Sequence, residues 1–258
     1  MAFQCQQFYL KDDQCAMKVG TDSLLLGSWL QLPTSSSECK HSARRWLDIG
    51  CGCGILALML AQRSADDAEA VSIDAVELDQ QAATQAQYNV ANSPWPTRVQ
   101  VFNQDIMAFA QAPSRHQGYQ LIISNPPYFA GANQTTLQAQ SPSARRQARH
   151  QQRLSFAQLV QQAQYLLAPG GCLAVVIPAD HEGNWLAAMA DDGWQLQRRC
   201  LVRTRAHKPV RRLLLQYGWR CAEPFEPQQQ RLTIHHQQGY SAEFRQLTAA
   251  FYLAGASL

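Results

Sequence analysis

The tetrapeptide Asn125-Pro126-Pro127-Tyr128 has the residue types needed to hold a planar amine. It follows the apolar run 121–124, which predicts a buried strand, and two prolines at this point end strand pairing and fix the local φ angles. The side-chain oxygen of Asn125 and the carbonyl of Pro126 can then accept the two N–H groups of an exocyclic amine and direct its lone pair at an electrophile. Tyr128 offers an aromatic face for a planar substrate. A rigid turn with an aromatic plug is the alternative.

A second candidate is a glycine loop that follows the strand predicted over 46–49. Its sequence is Asp48-Ile49-Gly50-Cys51-Gly52-Cys53-Gly54. In a doubly wound sheet, the turn after such a strand lies at the carboxyl edge, where nucleotide ligands bind. Glycines there let the backbone approach a ligand closely. The dinucleotide fingerprint requires a glycine three residues after Gly52, where Ile55 stands, so that class is excluded. A tight turn without a ligand is the alternative.

Two acids follow the next two predicted strands. Glu77 lies near the end of the strand over 71–78, and its ionised carboxylate could accept both hydrogen bonds of a ribose diol. Asp74 lies nearer the middle of that strand and fits a diol less well. Asp105 follows the strand over 99–102. The alternatives are a solvated strand-end acid for Glu77 and a helix N-cap for Asp105.

Strands and helices alternate along the chain, which predicts an α/β fold with a mostly parallel sheet and helices on both faces. The helix over 155–166 begins at a plausible Ser155 N-cap. The remaining predicted strands cover 120–124, 172–177, 195–204 and 211–219, and the remaining predicted helices cover 55–62 and 80–92.

Composition bounds the class of protein. The chain has 258 residues, of which 46% are hydrophobic and 16% charged, so it can bury a large core and is not disordered as a whole. No apolar stretch reaches the ~18 residues of a membrane span, and the N-terminus lacks the pattern of a signal peptide, so we expect a soluble cytoplasmic protein without membrane attachment. Eight cysteines without a C-x-x-C pair and seven histidines without ligand spacing predict reduced thiols and no metal.

The net charge of +3 is unevenly distributed. Residues 1–105 carry −5 and residues 106–258 carry +8. A basic C-terminal half suits a polyanionic partner such as nucleic acid, while an ordinary solvated surface is the alternative. The segment 193–222 has no acid and eight basic residues: Arg198, Arg199, Arg203, Arg205, Lys208, Arg211, Arg212 and Arg220.

The G-x-G-x-G loop and the N-P-P-Y tetrapeptide resemble those of class I S-adenosylmethionine-dependent methyltransferases that act on amines: adenine N6, guanine N2 or the glutamine amide of release factors. The resemblance implies a Rossmann-like fold with a seven-stranded sheet, S-adenosylmethionine as cofactor, and catalytic roles for Asn125, Pro126, Pro127 and Tyr128. It further implies that Asp105 holds the adenine amino group of the cofactor. The other implied cofactor residues of the core are Asp48, Gly50, Gly52, Gly54 and Glu77.

The N-terminal segment narrows the resemblance. Residues 16–27 resemble the segment that precedes the glycine loop in bacterial tRNA (adenine-N6) methyltransferases acting on position 37 of valine tRNA. In that family the segment folds over the cofactor, which implies cofactor contacts for Lys18, Gly20, Thr21 and Asp22. A helix capped by Thr21 or Asp22 is the alternative.

The resemblance extends from about residue 8 to residue 252 and is weakest over 131–153. It implies three parts: an N-terminal segment (1–45) over the cofactor site, a methyltransferase core (46–222) and a C-terminal tail (223–258) packed on the core. It also implies tRNA as the partner of a monomer or weak dimer. The expected tRNA contacts are Arg145, Arg146, Arg149, Arg203, Arg205, Lys208 and Arg211.

Three other functions remain open. Glutamine methyltransferases of release factors share the tetrapeptide, but they usually carry a helical domain ahead of the glycine loop, and only 45 residues precede Trp46 here. The amine could instead belong to another RNA or to DNA. An RNA-binding module that holds the cofactor without activity is the third possibility, and an altered loop or tetrapeptide would favour it.

Overall fold

The computed structural model describes residues 2–15, 18–33, 44–67, 70–126, 154–224, 226–237 and 239–252. Within them strands and helices alternate as predicted. The strands are β1 (Ala2–Gln4), β2 (Tyr9–Lys11), β3 (Arg44–Ile49), β4 (Val71–Glu77), β5 (Val99–Asn103), β6 (Tyr119–Ser124), β7 (Leu167–Pro178), β8 (Trp194–Arg203), β9 (Val210–Trp219), β10 (Gln228–Thr233), β11 (His235–His236) and β12 (Gly239–Tyr240). The helices are α1 (Thr21–Trp29), α2 (Ile55–Arg63), α3 (Gln80–Ala91), α4 (Ile106–Ala110), α5 (Phe156–Leu166), α6 (Glu182–Ala188) and α7 (Ala242–Thr248).

The central sheet has eight strands within the described residues, in the order β10-β8-β9-β7-β6-β3-β4-β5. This corrects the predicted number of seven, while the α/β class and the mostly parallel sheet are confirmed. The additional strand is β10, which pairs in parallel with β8. Its side chains are mostly polar and exposed, with Leu232 buried, so it shows neither an apolar run nor alternation.

The sheet topology brings most strand ends to one edge, here called the site edge. Strand β9 runs antiparallel to both β7 and β8, whereas the other neighbouring strands pair in parallel. The carboxyl ends of β3 to β8 and of β10 therefore lie at the site edge, together with the beginning of β9. Strands β3, β4 and β5, which lead to the predicted cofactor residues, lie on one side of β6. Strands β8 and β9, which carry the basic segment 193–222, lie on the other side.

Two apolar layers cover the sheet. Successive residues of β6 alternate between them: Leu121 and Ile123 pack with α1, α2 and α3, whereas Ile122 packs with α4, α5 and α6. Such burial on both faces explains why the central strands read as continuous apolar runs. Helix α5 begins as predicted, because the Ser155 hydroxyl accepts from the Gln158 N–H at 3.2 Å and the Gln158 side chain accepts in return at 2.9 Å.

The N-terminal hairpin of β1 and β2 packs beside α3. Asn89 of α3 makes the connection: its side chain accepts from the Lys11 N–H at 2.9 Å and donates to the carbonyls of Lys11 and Cys53. One side chain therefore holds the N-terminal segment against the glycine loop. Among the residues that the structure describes, no helix combines the length and the apolar character required to cross a membrane.

Candidate active site

The glycine loop leaves β3 at the site edge with three glycines in the left-handed region. The φ angles are 72° at Gly50, 55° at Gly52 and 86° at Gly54. A side chain at Gly50 or Gly52 would meet no atom within 4 Å, so these two glycines are required by backbone conformation and their faces are open. The loop is anchored because the Gly50 N–H donates to the Val76 carbonyl at 2.9 Å.

Asp48 lies at the base of this loop and is fully buried. Its Oδ2 accepts from the Ala57 N–H at 3.1 Å, near the start of α2, while its Oδ1 has no hydrogen-bond partner among the described residues. Burial raises the pKa of the Asp48 carboxyl to about 8, and the charge of Glu77 adds to the rise. A buried carboxyl oxygen without a partner fits a ligand that brings a hydrogen-bonding group to the loop.

Glu77, at the end of β4, binds two backbone N–H groups. Its Oε2 accepts from Gly52 and its Oε1 accepts from Asp79, both at 2.9 Å. Burial raises the pKa of this carboxyl above its usual value, although the two hydrogen bonds oppose the rise. The Glu77 side chain is thus half-buried and held by two backbone hydrogen bonds, so it is not a solvated strand-end acid. Each carboxylate oxygen has a further lone-pair site with which to accept from a diol.

Asp105 and Asp74 have different positions. Asp105 is the N-cap of α4, because its Oδ1 accepts from the Met107 N–H at 2.8 Å. The helix N-cap alternative for Asp105 is therefore confirmed. Capping uses only one carboxylate oxygen, so the other oxygen is compatible with a role in ligand binding. Asp74 lies mid-strand and accepts from Arg45 at 2.8 Å and from the Tyr119 hydroxyl. These two contacts hold the Asp74 carboxylate in a position away from the site edge.

The first turn of α1 lies at the site edge, on the face of the sheet that α2 and α3 also cover. Gly20 is the N-cap of α1, with Thr21 and Asp22 in the first turn, so the alternative in which Thr21 or Asp22 caps this helix is wrong about the capping residue. Glycine occupies the cap with an extended backbone at φ −129° and ψ 171°. Asp22 instead accepts from the Arg212 Nε at 2.7 Å and joins α1 to β9.

Lys18 belongs to the turn that leads into α1. Its ammonium group donates to the Asp12 carbonyl at 2.7 Å, and the Asp12 carboxylate accepts from the Val19 N–H at 3.0 Å. These contacts close the loop between β2 and α1. Ala16 and Met17, which contribute to the resemblance of this segment, lie outside the described residues.

Asn125 follows β6 at the site edge, directly beside the end of β3. The Ser124 hydroxyl donates to the Ile49 carbonyl at 2.8 Å and ties the two strand ends together. The Asn125 Nδ2 donates to the Ser23 Oγ at 3.0 Å, across to the first turn of α1. Asn125 is thus held between the strand that leads to the glycine loop and the segment predicted to fold over it.

The basic turn between β8 and β9 also lies at the site edge. Arg205, Lys208 and Arg211 are exposed there. Arg203 is more enclosed, because its Nε donates to the Thr233 hydroxyl at 2.9 Å. Arg205 Nη1 donates to the Gln237 carbonyl at 3.1 Å, which joins the turn to the hairpin of β11 and β12. With about 4.8 Å between neighbouring strands, β8, which is three strands away from β6, lies about 14 Å from it.

The other basic residues of the 193–222 segment have other roles, so the segment does not form one basic surface. Arg198 donates to the Trp29 carbonyl at 2.9 Å, and Arg199 pairs with Glu182 at 2.6 Å. Arg220 follows the end of β9 and therefore lies at the opposite edge of the sheet. Spacing along the sequence could not show that Arg220 lies far from the exposed basic turn, because that separation depends on the direction of β9.

Several predicted site residues fall outside the described part of the chain, and two contacts were not predicted. The predicted residues concerned are Pro127, Tyr128, Arg145, Arg146 and Arg149. The contacts that sequence reasoning missed are those of Ser23 with Asn125 and of Asn89 with Cys53. No local pattern identifies either, since both join residues that are far apart in the sequence.

Comparison with known proteins agrees with this architecture. Residues 20–189 match the family model described as methyltransferase small domain. The chain is 44% identical over 254 residues to a protein of Tolumonas auensis, covering 98% of this chain and 97% of that protein. It is 44% identical over 253 residues to a protein of Serratia proteamaculans, covering 97% and 89%. Both relatives are named tRNA1(Val) (adenine(37)-N6)-methyltransferase.

A solved structure supports the fold alone. It is the crystal structure of a predicted O-methyltransferase, protein Atu636 from Agrobacterium tumefaciens, with a TM-score of 0.64 and 18% identity over 89% of this chain and 96% of that chain. The near-full-length identity to the two relatives is far stronger evidence of kinship than this shared architecture. The chain belongs to the methyltransferase small domain family and, within it, to the family of tRNA1(Val) (adenine(37)-N6)-methyltransferases.

Proposed function

We propose that this chain transfers a methyl group from S-adenosylmethionine to the N6 amine of adenine 37 in the anticodon loop of valine tRNA. The observation that carries the choice of substrate is the 44% identity over 98% of the chain to a relative of that name. The position of Asn125, at the site edge beside the glycine loop, supports the amine chemistry. The reaction takes place in the cytoplasm, where tRNA is modified.

Asn125 and Pro126 orient the amine. The planar N6 group is a poor nucleophile, because its lone pair is delocalised into the adenine ring. The Asn125 Oδ1 and the Pro126 carbonyl accept its two N–H groups, which favours a pyramidal nitrogen and stabilises the positive charge that develops there. The nitrogen would bond to the methyl carbon as the carbon–sulfur bond breaks and leaves a neutral thioether, and it would then lose one proton to water. Neither a strong base nor a covalent enzyme intermediate would be needed. Tyr128 stacks on the base.

The residues around the glycine loop fit S-adenosylmethionine. When bound, this compound supplies a methyl group on a positively charged sulfur. Asp48 provides a buried carboxyl oxygen that has no partner among the described residues, and Gly50 and Gly52 leave an open backbone face with no side chain. Glu77 accepts from the ribose hydroxyls, and Asp105 holds the adenine amino group. Residues Lys18, Gly20, Thr21 and Asp22 form the cover of this site.

The opposite half of the site edge binds the RNA. Arg205, Lys208 and Arg211 are exposed, and together with Arg203 they neutralise phosphates without reading sequence. Adenine 37 lies in a loop, so it can be splayed out without melting a duplex. The segment with Arg145, Arg146 and Arg149 supplies further phosphate contacts.

A methyl-transfer assay tests this function. Purified protein receives labelled S-adenosylmethionine together with either bulk tRNA from cells that lack the protein or a release-factor preparation. The labelled tRNA is digested to nucleosides, which are separated. Label in N6-methyladenosine supports the proposal. Label in protein alone would assign the chain to glutamine methylation, and cofactor binding without transfer to either substrate would indicate a binding module.

A further inference from the structure

We propose that the hairpin of β11 and β12 is a second RNA contact, which binds the sugar–phosphate backbone of the anticodon stem while adenine 37 occupies the site beside β6. This inference rests on the proposed function, because it names the part of the same tRNA that lies on a further surface of the chain. The residues that carry it are His236 and Gly239, which belong neither to the cofactor site nor to the tetrapeptide.

The hairpin lies at the site edge, where the chain continues beyond the end of β10. Strand β10 is four strands away from β6, which corresponds to about 19 Å with about 4.8 Å between neighbouring strands. RNA that contacts the hairpin is therefore separated from the reacting base by several nucleotides. This separation suits the paired stem of the anticodon arm rather than the loop nucleotides next to adenine 37.

A stack of aromatic rings makes the hairpin rigid. The centroids of His235 and Tyr240 are 4.9 Å apart with 21° between the ring planes, and those of Tyr240 and Phe244 are 4.5 Å apart with 19°. Phe244 is fully buried, so the stack fixes the hairpin to the core. The His235 N–H also donates to the Thr204 carbonyl of the basic turn at 2.9 Å. A surface that is already rigid loses little conformational entropy when a partner binds.

The other face of the hairpin is open. His235 pairs with Tyr240, and His236 pairs with Gly239. Because successive side chains of a strand point to opposite faces, His236 and Gly239 share the face away from the aromatic stack, and both are exposed. A Cβ at Gly239 would meet no atom within 4 Å, and the φ angle of Gly239 lies outside the left-handed region. Neither packing against the described residues nor backbone conformation requires glycine there, so its open face is available for the close approach of another backbone.

The charge around this face suits RNA. The Arg205 Nη1 donates to the hairpin backbone at 3.1 Å and uses one of the five N–H donors of the guanidinium group. Residues 193–222 and 227–242 include no acid, and Glu243 follows only in α7. His236 adds an exposed ring N–H that can donate to a phosphate oxygen. Positive charge and N–H donors are the features with which proteins bind a sugar–phosphate backbone without reading its sequence.

The test uses the full chain and a valine tRNA transcript, with Gly239→Glu and His236→Ala as the variants. Ala222→Glu and His116→Ala are matched controls, because both residues are exposed at the opposite edge of the sheet. Filter binding is expected to show affinity about tenfold lower for Gly239→Glu, whose carboxylate repels phosphates, and about threefold lower for His236→Ala, which loses one hydrogen bond to a charged group. The controls bind as the parent does.

Hydroxyl-radical footprinting of the same complexes identifies the RNA that is contacted. The parent and the controls are expected to protect sugars of the anticodon stem and of the loop around adenine 37, whereas Gly239→Glu loses the protection of the stem and keeps that of the loop. A thermal unfolding midpoint of Gly239→Glu within a few degrees of the parent shows that the variant is folded.

Three results would overturn the stem contact while the proposed function stands: protection of the loop without the stem by the parent, an unchanged stem footprint in Gly239→Glu, or equal weakening of binding by Gly239→Glu and Ala222→Glu. The last result would assign the effect to net charge rather than to the hairpin. If the parent protects no part of the anticodon arm and transfers no methyl group to the transcript, the proposed function itself is wrong.

Discussion

The Glu77 carboxylate accepts the backbone N–H of Gly52 at 2.9 Å, so the end of β4 is joined directly to the glycine loop. The same carboxylate accepts from Asp79, the N-cap of α3. One acid therefore fixes the loop and the start of the following helix, and each of its oxygens keeps a lone pair with which to accept from a ligand. Its role in shaping the loop and its proposed role at the ribose reinforce each other.

This relationship predicts that Glu77→Ala weakens S-adenosylmethionine binding at least about tenfold, because hydrogen bonds to a charged acceptor are lost together with the support of the loop. Isothermal titration calorimetry measures the affinity. Glu243→Ala, an exposed acid of α7, is the control and binds as the parent does. An unchanged affinity in Glu77→Ala would remove Glu77 from the cofactor site.

Replacing Asn125 by alanine is expected to lower kcat about a hundredfold or more, because an acceptor aimed at the developing charge is lost. Cofactor affinity stays within about threefold of the parent, since the glycine loop, Asp48 and Glu77 are untouched. Tritiated methyl transfer measures kcat and calorimetry measures binding. Near-normal turnover would show that the amide does not orient the amine.

Asp48 predicts a dependence of stability on pH. Its pKa is raised from 3.8 to about 8 by burial, so the folded protein holds this proton over a pH range in which the unfolded chain has lost it. The contribution to the free energy of unfolding is therefore complete below about pH 4 and is lost as the pH rises through about 8. Urea unfolding at pH 5 and pH 8 measures the change.

The matched variant is Asp48→Asn, which keeps an oxygen for the Ala57 N–H but cannot ionise. Its free energy of unfolding falls less between pH 5 and pH 8 than that of the parent. Glu77 contributes in the same direction to both proteins, because its pKa is also raised. Equal falls in the two proteins would show that Asp48 is already ionised across this range.

The two ends of β9 offer a paired test of RNA binding. Arg211 lies at the site edge and Arg220 at the opposite edge, and both are exposed. Arg211→Ala is expected to weaken tRNA binding severalfold and to reduce the slope of log affinity against log salt by about 1. Filter binding over a range of salt concentrations measures both quantities. Arg220→Ala should leave them unchanged, and equal effects of the two variants would contradict this placement of the RNA.

The sequence predicted the central strands well because they are buried on both faces. The prediction over 71–78 became Val71–Glu77, and the prediction over 211–219 became Val210–Trp219. The Ser155 cap was equally readable, because a capping box is a local pattern. Strand β10 escaped detection, since an edge strand with exposed polar side chains forms through pairing with β8 rather than through its own sequence.

The candidate site divides in the same way. The positive φ angles at Gly50 and Gly52 are ones that glycine adopts readily, so a tight glycine turn could be predicted from the sequence. The contact of Ser23 with Asn125 depends on how α1 crosses the sheet, and the separation of Arg211 from Arg220 depends on the antiparallel direction of β9. Such relationships arise from tertiary packing, which spacing along the chain does not encode.

The most direct measurement is methyl transfer to two valine tRNA transcripts that differ only at position 37. One carries adenine and the other carries guanine, and both receive labelled S-adenosylmethionine and the purified protein. We expect label only in the transcript with adenine 37, recovered after digestion as N6-methyladenosine, and no label with Asn125→Ala. Equal recovery of labelled N6-methyladenosine from the two transcripts would place the methyl group on another adenine and contradict the proposed reaction.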